Sequence, residues 1–406
     1  MPSVRDVDAV IVGGGIAGST VAASLARAGL GVLVIERERR FQDRVRGESI
    51  HPWGVGVARE LGLLEVLAAS GGHPLPRWRQ YENRELRTSF DWREVAPEGL
   101  SEWAIYHPRM QEGLLVHAAS TGAEVVRPGR AEVVSGGPRP EVDVVADDGR
   151  TTRLRARLVV GADGRQSAVR RRLGARPERD PVHHAIGGGL LDGVALDADA
   201  THVATRPGRM ILVFPQGGGR ARAYVVCSTE EGAGFRGAAA SSAFISCARE
   251  AFPEGEFGDP APAGPTAFFP NADQWSSRLA GESMVLVGDA AGANDPSIGH
   301  GLSISFRDVR ELRDLLTDGT PWDRALREYE VRRRRYFEVF RAYARWLTML
   351  VIDQGPEADR RRERTARAWE LDPTRGGFGR LRAYGADGLV ADEAARRHFY
   401  GEDLAG

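Results

Sequence analysis

An apolar run at residues 7–12 ends in glycine and reads as a buried strand. A helix over 16–28 and a second apolar run at 31–35 follow it. A further helix is expected over 54–69, stopping at Gly71-Gly72. The pattern then changes. Between 74 and 100, Trp78, Tyr81, Phe90 and Trp92 alternate with charges around Glu82-Asn83-Arg84, which predicts a hairpin belonging to another sheet. A helix over 109–121 and a strand at 123–126 return to the first style, and strands at 141–146 and 152–155 flank the turn Asp147-Asp148-Gly149. A buried strand at 157–161 comes next. Strand-like runs recur at 184–191, 210–214 and 221–227, with a helix over 238–252 and an irregular return marked by Pro260, Pro262, Pro265 and Pro270. After a strand at 284–287 and a helix over 302–316, the chain beyond Pro321 reads as helical. The sum is an α/β protein. A Rossmann-like domain is assembled from 1–75, 101–179 and 276–320. It is interrupted by the hairpin 76–100 and an inserted α+β segment 180–275, and followed by a helical region 321–406.

Three segments carry the chemistry. In the first, Gly13 permits a tight turn, Gly15 lets a pyrophosphate approach the backbone, and Gly18 lets the following helix pack closely. That helix aims free N–H groups and its positive end at the phosphate. Glu36, closing the second strand, can hold both hydroxyls of an adenosine ribose and repels a 2′-phosphate, so the nucleotide is FAD or NAD. In the second, GADGRQSAVR at 161–170, Asp163 stands at a strand's carboxyl end, Gly164 turns the chain and Ser167 caps a helix over 168–173. In the third, GDAAGANDPSIGHG at 288–301, Asp289 follows a buried strand and can accept from a ribose or ribityl hydroxyl. The glycine loop at 296–301 can turn its amides and the next helix's dipole toward a developing anion, such as N1 of a reduced flavin.

Composition narrows the field. With 406 residues and a net charge of −1, the chain has room for a sizeable core and gives no reason to expect nucleic acid or an acidic membrane as partner. It has no run of eighteen apolar residues and enters its first strand too early for a signal peptide, so a soluble cytoplasmic protein, monomer or homodimer, is expected. All 55 basic side chains are arginine. Without lysine there is no Schiff-base or amine-base chemistry and no Walker-type phosphate loop. Cys227 and Cys247 lack metal-type spacing and read as structural thiols, and His183 and His184 would point to opposite faces of a strand, so no metal is expected. The arginine runs 332–335 and 360–362 read as solvated helix faces with acid partners. Chemistry must come from a bound cofactor.

Taken in order, GxGxxG, the acid, GADGxxSxVR and GDAA with its proline and glycine loop resemble the class A flavoprotein monooxygenases of the para-hydroxybenzoate hydroxylase type, over about residues 8–320. The resemblance implies a glutathione-reductase-type FAD-binding domain with an inserted substrate domain. It assigns Gly13, Gly15, Ile16, Ala17, Gly18, Glu36 and Arg37 to the adenosine half of FAD and Gly288 and Asp289 to its pyrophosphate and ribityl region. Pro296, Gly299, His300, Gly301 and Leu302 fall to the flavin ring, Asp163 and Gly164 to FAD and the pyridine nucleotide, and Arg46 and Arg109 to the family's two flavin-contacting positions. His300 stands where glutamine is frequent; it can tune the ring, touch substrate or cap the helix. Flavin halogenases share the superfamily but need a lysine and usually show a WxWxIP run, both missing here.

The implied reaction is reduction of FAD by NADPH or NADH, oxygen addition at flavin C4a, and transfer of one oxygen atom from the hydroperoxide to an aromatic or olefinic small molecule, as in secondary metabolism. Arg46, His51 and His300 are the candidate catalytic groups, with His51, His107 or His300 as base for a phenol. Trp53, Tyr81, Trp92, Phe214, Phe268 and Phe269 are candidate pocket walls. Rival readings are a geranylgeranyl-reductase-like enzyme acting on a C–C bond without oxygen insertion, a flavin-binding scaffold or redox sensor without turnover, and an NAD-binding module.

Overall fold

The computed structural model describes residues 4–404. Its first sheet places Met284–Leu286, Thr151–Gly161, Arg5–Val12, Val32–Ile35 and Glu124–Val126 side by side and parallel. The chain runs outward from Arg5–Val12 to Glu124–Val126, then crosses back to lay Thr151–Gly161 on the first strand's other side. The order therefore reverses between those two strands, and ligands of open α/β sheets bind outside the carboxyl ends at such a reversal. Register makes the point locally: Val12 pairs with Gly161, and Gly161 with Leu286. Each of the three glycine-rich segments thus leaves the end of one of three adjacent strands. Helices Ile16–Arg27, His107–Ser120 and Gly301–Thr317 pack over the sheet through a continuous apolar core.

A second eight-stranded sheet runs Gly258–Pro262, His184–Val194, Arg220–Cys227, Arg209–Pro215, Ala200–Arg206, Arg77–Glu82 and Glu85–Asp91, with Ala267–Asn271 also pairing to His184–Val194. The proline-marked segment is thus partly strand, contrary to the irregular return expected. Its prolines are tolerated because both pieces border the sheet, where a missing N–H costs no ladder bond. Ala200–Arg206 has no strand signature in the sequence because Thr201 and His202 are polar. Both are fully buried, Thr201 donating to Glu102 at 2.7 Å and His202 bonding the Asp197 carbonyl at 2.9 Å. The helix expected over 54–69 is two, Pro52–Glu60 and Leu64–Ala69, because Gly62 takes φ +71° and ends the first. Strands expected at 152–155 and 157–161 are one. His183 precedes the strand that His184 begins, so the two rings approach, Nδ1 to Nδ1, at 3.2 Å instead of facing apart. Helices Trp322–Ile352, Pro356–Leu371, Phe378–Tyr384 and Glu393–Phe399 form the C-terminal region. Arg332 and Arg334 pair with acids one turn back, but Arg333 turns inward to Asp308 at 3.5 Å and stacks on Phe337.

Candidate functional site

The three segments touch one another. A Cβ placed on Gly13, whose φ is +103°, would lie 2.5 Å from the Ala162 carbonyl oxygen, and one on Gly288 would lie 2.9 Å from Ala17 Cβ. Arg170, buried, donates to the Ala290 carbonyl at 3.1 Å, joining the second segment to the third. A Cβ on Gly18 would sit 1.9 Å from the Gly13 carbonyl oxygen, so the first helix rests directly on its own turn. Gly15 differs. The nearest protein atom to a Cβ there is Gln111 Nε2 at 3.6 Å, the tip of a flexible side chain, so the space beside this turn is open. The first-turn amides of Ile16, Ala17 and Gly18 have no intrahelical partner and border that space.

Glu36 is buried and accepts from Gly14 N and Glu38 N, both at 2.8 Å, one bond to each carboxylate oxygen. A carboxylate offers about four lone-pair sites, so capacity for a diol remains. Asp163 spends Oδ2 on the amides of Ala168 and Val169 at 2.6 and 3.3 Å, and its buried Oδ1 has no partner. Ser167 caps the same helix through Arg170 N at 2.9 Å. Gly164 takes φ +77° with nothing beside it. Asp289 is partly exposed and lies between two guanidinium groups, Arg46 at 3.6 Å and Arg165 at 3.7 Å. Arg37 and Arg109 are both exposed, the latter near the start of His107–Ser120. Arg165 and Gln111 were missed from sequence; Arg165 lies inside the second motif, but nothing in its spacing points it at Asp289.

The loop Pro296–Ile298 and Gly299–Gly301 opens the helix Gly301–Thr317. Gly299 adopts φ +74°, and a Cβ there would meet His51 Nε2 at 3.0 Å, whereas Gly301 has nothing within 4 Å. The amides of Gly301, Leu302 and Ser303 lack intrahelical partners at this helix N-terminus, and Gly301 borders free space. Behind the loop stands a buried network. Asp295 accepts from Asn271 at 2.6 Å and Ser297 N at 2.8 Å and lies 3.2 Å from His184, and Asp273 binds Asn294 and the Asp295 amide. Burial raises Asp273 well above the usual carboxylate range, with Asp295 beside it adding to the shift.

His51 and His300 stack at 4.2 Å between ring centroids, both buried. His51 Nε2 lies 2.9 Å from the Ile298 carbonyl, which can only accept, so Nε2 carries a proton; Nδ1 faces Glu102 at 3.2 Å. Glu102 is fully buried; burial raises it, but His51, Ser49 and Thr201 outweigh burial and hold it below its ordinary value. The Trp53 indole donates to His300 Nδ1 at 3.2 Å, which leaves the His300 proton on the unpartnered, buried Nε2. Neither ring therefore offers a lone pair to a substrate. Both hold the loop. His107 is tied to the Gly47 carbonyl at 2.9 Å.

Burial, reinforced by His51 and Arg382, depresses His300 well below its usual value, and burial brings His202 down to about 4. Both are neutral when folded, while the unfolded chain protonates them below about pH 6.5. Their contribution to stability is whole above that pH and is lost as pH falls toward the folded values. A Tm that declines between about pH 7 and about pH 5 is expected; a flat Tm across that window contradicts neutral burial.

The second sheet presents two unlike faces. Ile211, Val213, Ala223 and Val225 have no exposure, sealed against Phe244 and Phe252. On the alternate face Leu212, Phe214 and Tyr224 keep 5–7% although they too are covered. This is the inner side, turned toward the segment that bears Arg46, whose carbonyl accepts from the Tyr224 hydroxyl. Phe214 lies on this face, whereas Trp53 belongs to the first sheet's core beside His300; Tyr81 and Phe268 join the sealed cluster, and Phe269 is exposed. Trp92 packs edge-on against Trp78. The inner face also carries Arg222, fully buried, bound to Asp43 at 2.7 Å and Glu48 at 2.9 Å, which fastens the sheet to the segment bearing Arg46.

Residues 6–340 match the family described as FAD binding domain. The chain is 30% identical over 395 residues, 91% of its own length and 94% of the relative's, to 3-amino-4-hydroxybenzoate 2-monooxygenase from Streptomyces cremeus. It is 29% identical over 368 residues, 87% and 74% of the two lengths, to rifampicin monooxygenase from Streptomyces venezuelae. Among solved structures it superposes on the flavin-dependent brominase Bmp2 with a TM-score of 0.78, covering 99% of this chain and 100% of that one at 18% identity, a likeness of fold that extends through the C-terminal helices. No helix among the described residues is long and apolar enough to cross a membrane.

Proposed function

The chain belongs to the FAD binding domain family, among its class A flavoprotein monooxygenases, and from that premise we propose an NAD(P)H-driven enzyme of secondary metabolism that inserts one oxygen atom, by hydroxylation or epoxidation, into an aromatic or olefinic small molecule. The observation that carries this reading is the meeting of the three glycine-rich segments at the ends of three neighbouring parallel strands. FAD fits what they frame. Open space beside Gly15 and Gly301, an unpartnered Asp163 oxygen and two sets of free helix amides suit a long, polar, anionic ligand. The relatives named for monooxygenation of an aminohydroxybenzoate and of rifampicin support the aromatic half of the proposal.

Bound FAD would supply hydride acceptance from NAD(P)H and activation of dioxygen. The amides of Ile16, Ala17 and Gly18 would neutralise the pyrophosphate, and Glu36 would take the ribose hydroxyls. Asp289 would accept from the ribityl region while Arg46 and Arg165 offset its charge, with Arg37 and Arg109 at the rim. Gly164 gives the chain its turn beside Asp163, and Gly288 lets the third segment reach Ala17. Amides at Gly301 and Leu302, beyond Pro296 and Gly299, would stabilise negative charge on the flavin ring in a site that the second sheet shields from water. His51 and His300 act here by fixing the Ile298 carbonyl and the loop, not as bases. The fold shared with a brominase brings no lysine with it, since this chain has none.

The test follows dioxygen. With a true substrate, uptake of one O₂ for each NAD(P)H oxidised and an oxygenated product are expected. NAD(P)H consumption without O₂ uptake points to the reductase alternative, acting on a C–C bond. A yellow protein that no pyridine nucleotide reduces, with candidate substrates present, contradicts turnover altogether.

A further inference from the structure

Arg382 stands on the short helix Phe378–Tyr384 of the C-terminal region. Its guanidinium lies over the Trp78 ring at 4.2 Å and the Phe378 ring at 5.3 Å. Among the described residues, every other arginine that is buried or half-buried makes a hydrogen bond or an ion pair; Arg382 makes neither. Burial brings it down to about 10, with Glu102 as the opposing charge, so it remains a cation at neutral pH. Glu102 is not available to pair with it, because its two oxygens already serve Ser49, His51 and Thr201.

The position is as telling as the missing partner. Trp78 belongs to the apolar cluster on the second sheet's inner face, with Leu212, Phe214 and Tyr224. The end of the Arg382 helix packs on Trp53, since a Cβ on Gly385 would lie 3.1 Å from that ring, and Trp53 bonds His300 in the glycine loop. Arg382 is close enough to His300 to depress it. Beyond Trp78, Trp92 and Phe90 lead to a solvent-open cleft of about 1360 Å³ between the hairpin and the C-terminal helices. A stacked guanidinium keeps its plane fixed and its edge N–H groups free, a fork shaped for the two oxygens of a carboxylate.

We propose that Arg382 anchors a carboxylate on the substrate, so that the enzyme acts on aromatic acids whose ring lies against the apolar inner face of the second sheet. The inference rests on the monooxygenase reading above. Half-buried and without a charge partner, the Arg382 guanidinium has only solvent for its N–H groups in the free protein, and a carboxylate ligand gives them a charge-assisted pair. Structural stacking alone would bring no preference among ligands.

The FAD-loaded wild type, R382Q and R382K are titrated with benzoate, 4-hydroxybenzoate and indole-3-carboxylate, each beside its primary amide, following flavin absorbance and Tm. Wild type is expected to bind at least one acid about 10- to 100-fold more tightly than its amide, the worth of a charge-assisted pair, and to gain Tm with the acid. R382Q should lose that preference at unchanged FAD content, and R382K should keep part of it. Wild type showing no acid preference overturns the proposal, as does R382Q retaining one. Loss of FAD from R382Q would assign the residue to the flavin and overturn it equally. A protein without FAD, or with FAD that NAD(P)H cannot reduce, sinks the monooxygenase reading itself, whereas a reducible flavin with no acid preference sinks only the anchor.

Discussion

Gly15→Val is expected to give a folded protein that purifies without flavin. The turn at Gly15 has φ −70° and ψ −167°, extended backbone that valine adopts without strain, and a Cβ there meets only Gln111 at 3.6 Å. The protein itself has room for the side chain. A pyrophosphate drawn against this backbone does not, so FAD affinity should fall by at least about 100-fold, roughly 2.7 kcal/mol, while Tm of the flavin-free protein stays near that of wild-type apoprotein. Gly18→Ala provides the contrast, because its methyl would sit 1.9 Å from the Gly13 carbonyl oxygen and should disturb the fold as well as the flavin. Flavin content and Tm, measured on both, separate the two roles. Full flavin in Gly15→Val would remove this turn from the site.

Arg222→Leu should be among the most destabilising single changes in the chain. The guanidinium is fully buried and neutralises Glu48 and Asp43 from 174 and 179 positions away. Removing one partner of such a group leaves uncompensated buried charge, about 3–5 kcal/mol. Burial already raises Glu48, with Arg222 opposing it. Without the arginine Glu48 rises further, and an acid whose folded value is raised loses stability as pH climbs through that range. The deficit should therefore be small near pH 4.5 and grow toward neutrality. A Tm drop of roughly 4–6 °C at neutral pH is expected, with part recovered in Arg222→Leu/Glu48→Gln. An unchanged Tm would mean that the pair does not hold the second sheet to the Arg46 segment.

Both predictions turn on contacts of different legibility. The glycine turn was readable because its physics is local: strand, turn, helix and terminal acid follow one another within the first 36 residues, and each residue type answers one steric or electrostatic demand. The fold class followed from the same repeated unit. Arg222 was not readable. Its partners sit on another element, and no spacing rule links a strand of one sheet to a loop of the other. The same holds for Glu102 beneath His51 and for Arg382, which in sequence is one arginine among 55 basic residues.

Where sequence reasoning erred, tertiary context had overridden a local signal. The strand Ala200–Arg206 hides behind polar residues whose partners, the distant Glu102 carboxylate for Thr201 and the nearby Asp197 carbonyl for His202, are supplied only by the folded chain. The prolines of 260–270 disguised two bordering strands. Alternation alone does not tell which sheet face looks toward the glycine loop, and so does not separate Tyr81 and Phe268, on the sealed side, from Phe214. His51 and His300 were sensible base candidates by residue type. Only the Ile298 carbonyl and the Trp53 indole, both fixed by long-range packing, show where their protons sit.

The central claim is spatial: residues from the first strand to position 301 enclose one FAD. A crystal structure of the flavin-loaded protein tests it most directly. A single FAD is predicted, with its pyrophosphate on the amides after Gly15, its ribose within hydrogen-bond reach of Glu36, its ribityl chain near Asp289 and its ring against Gly299 and Gly301. A flavin lodged elsewhere, or one that leaves Glu36 or Asp289 facing solvent, would contradict the account.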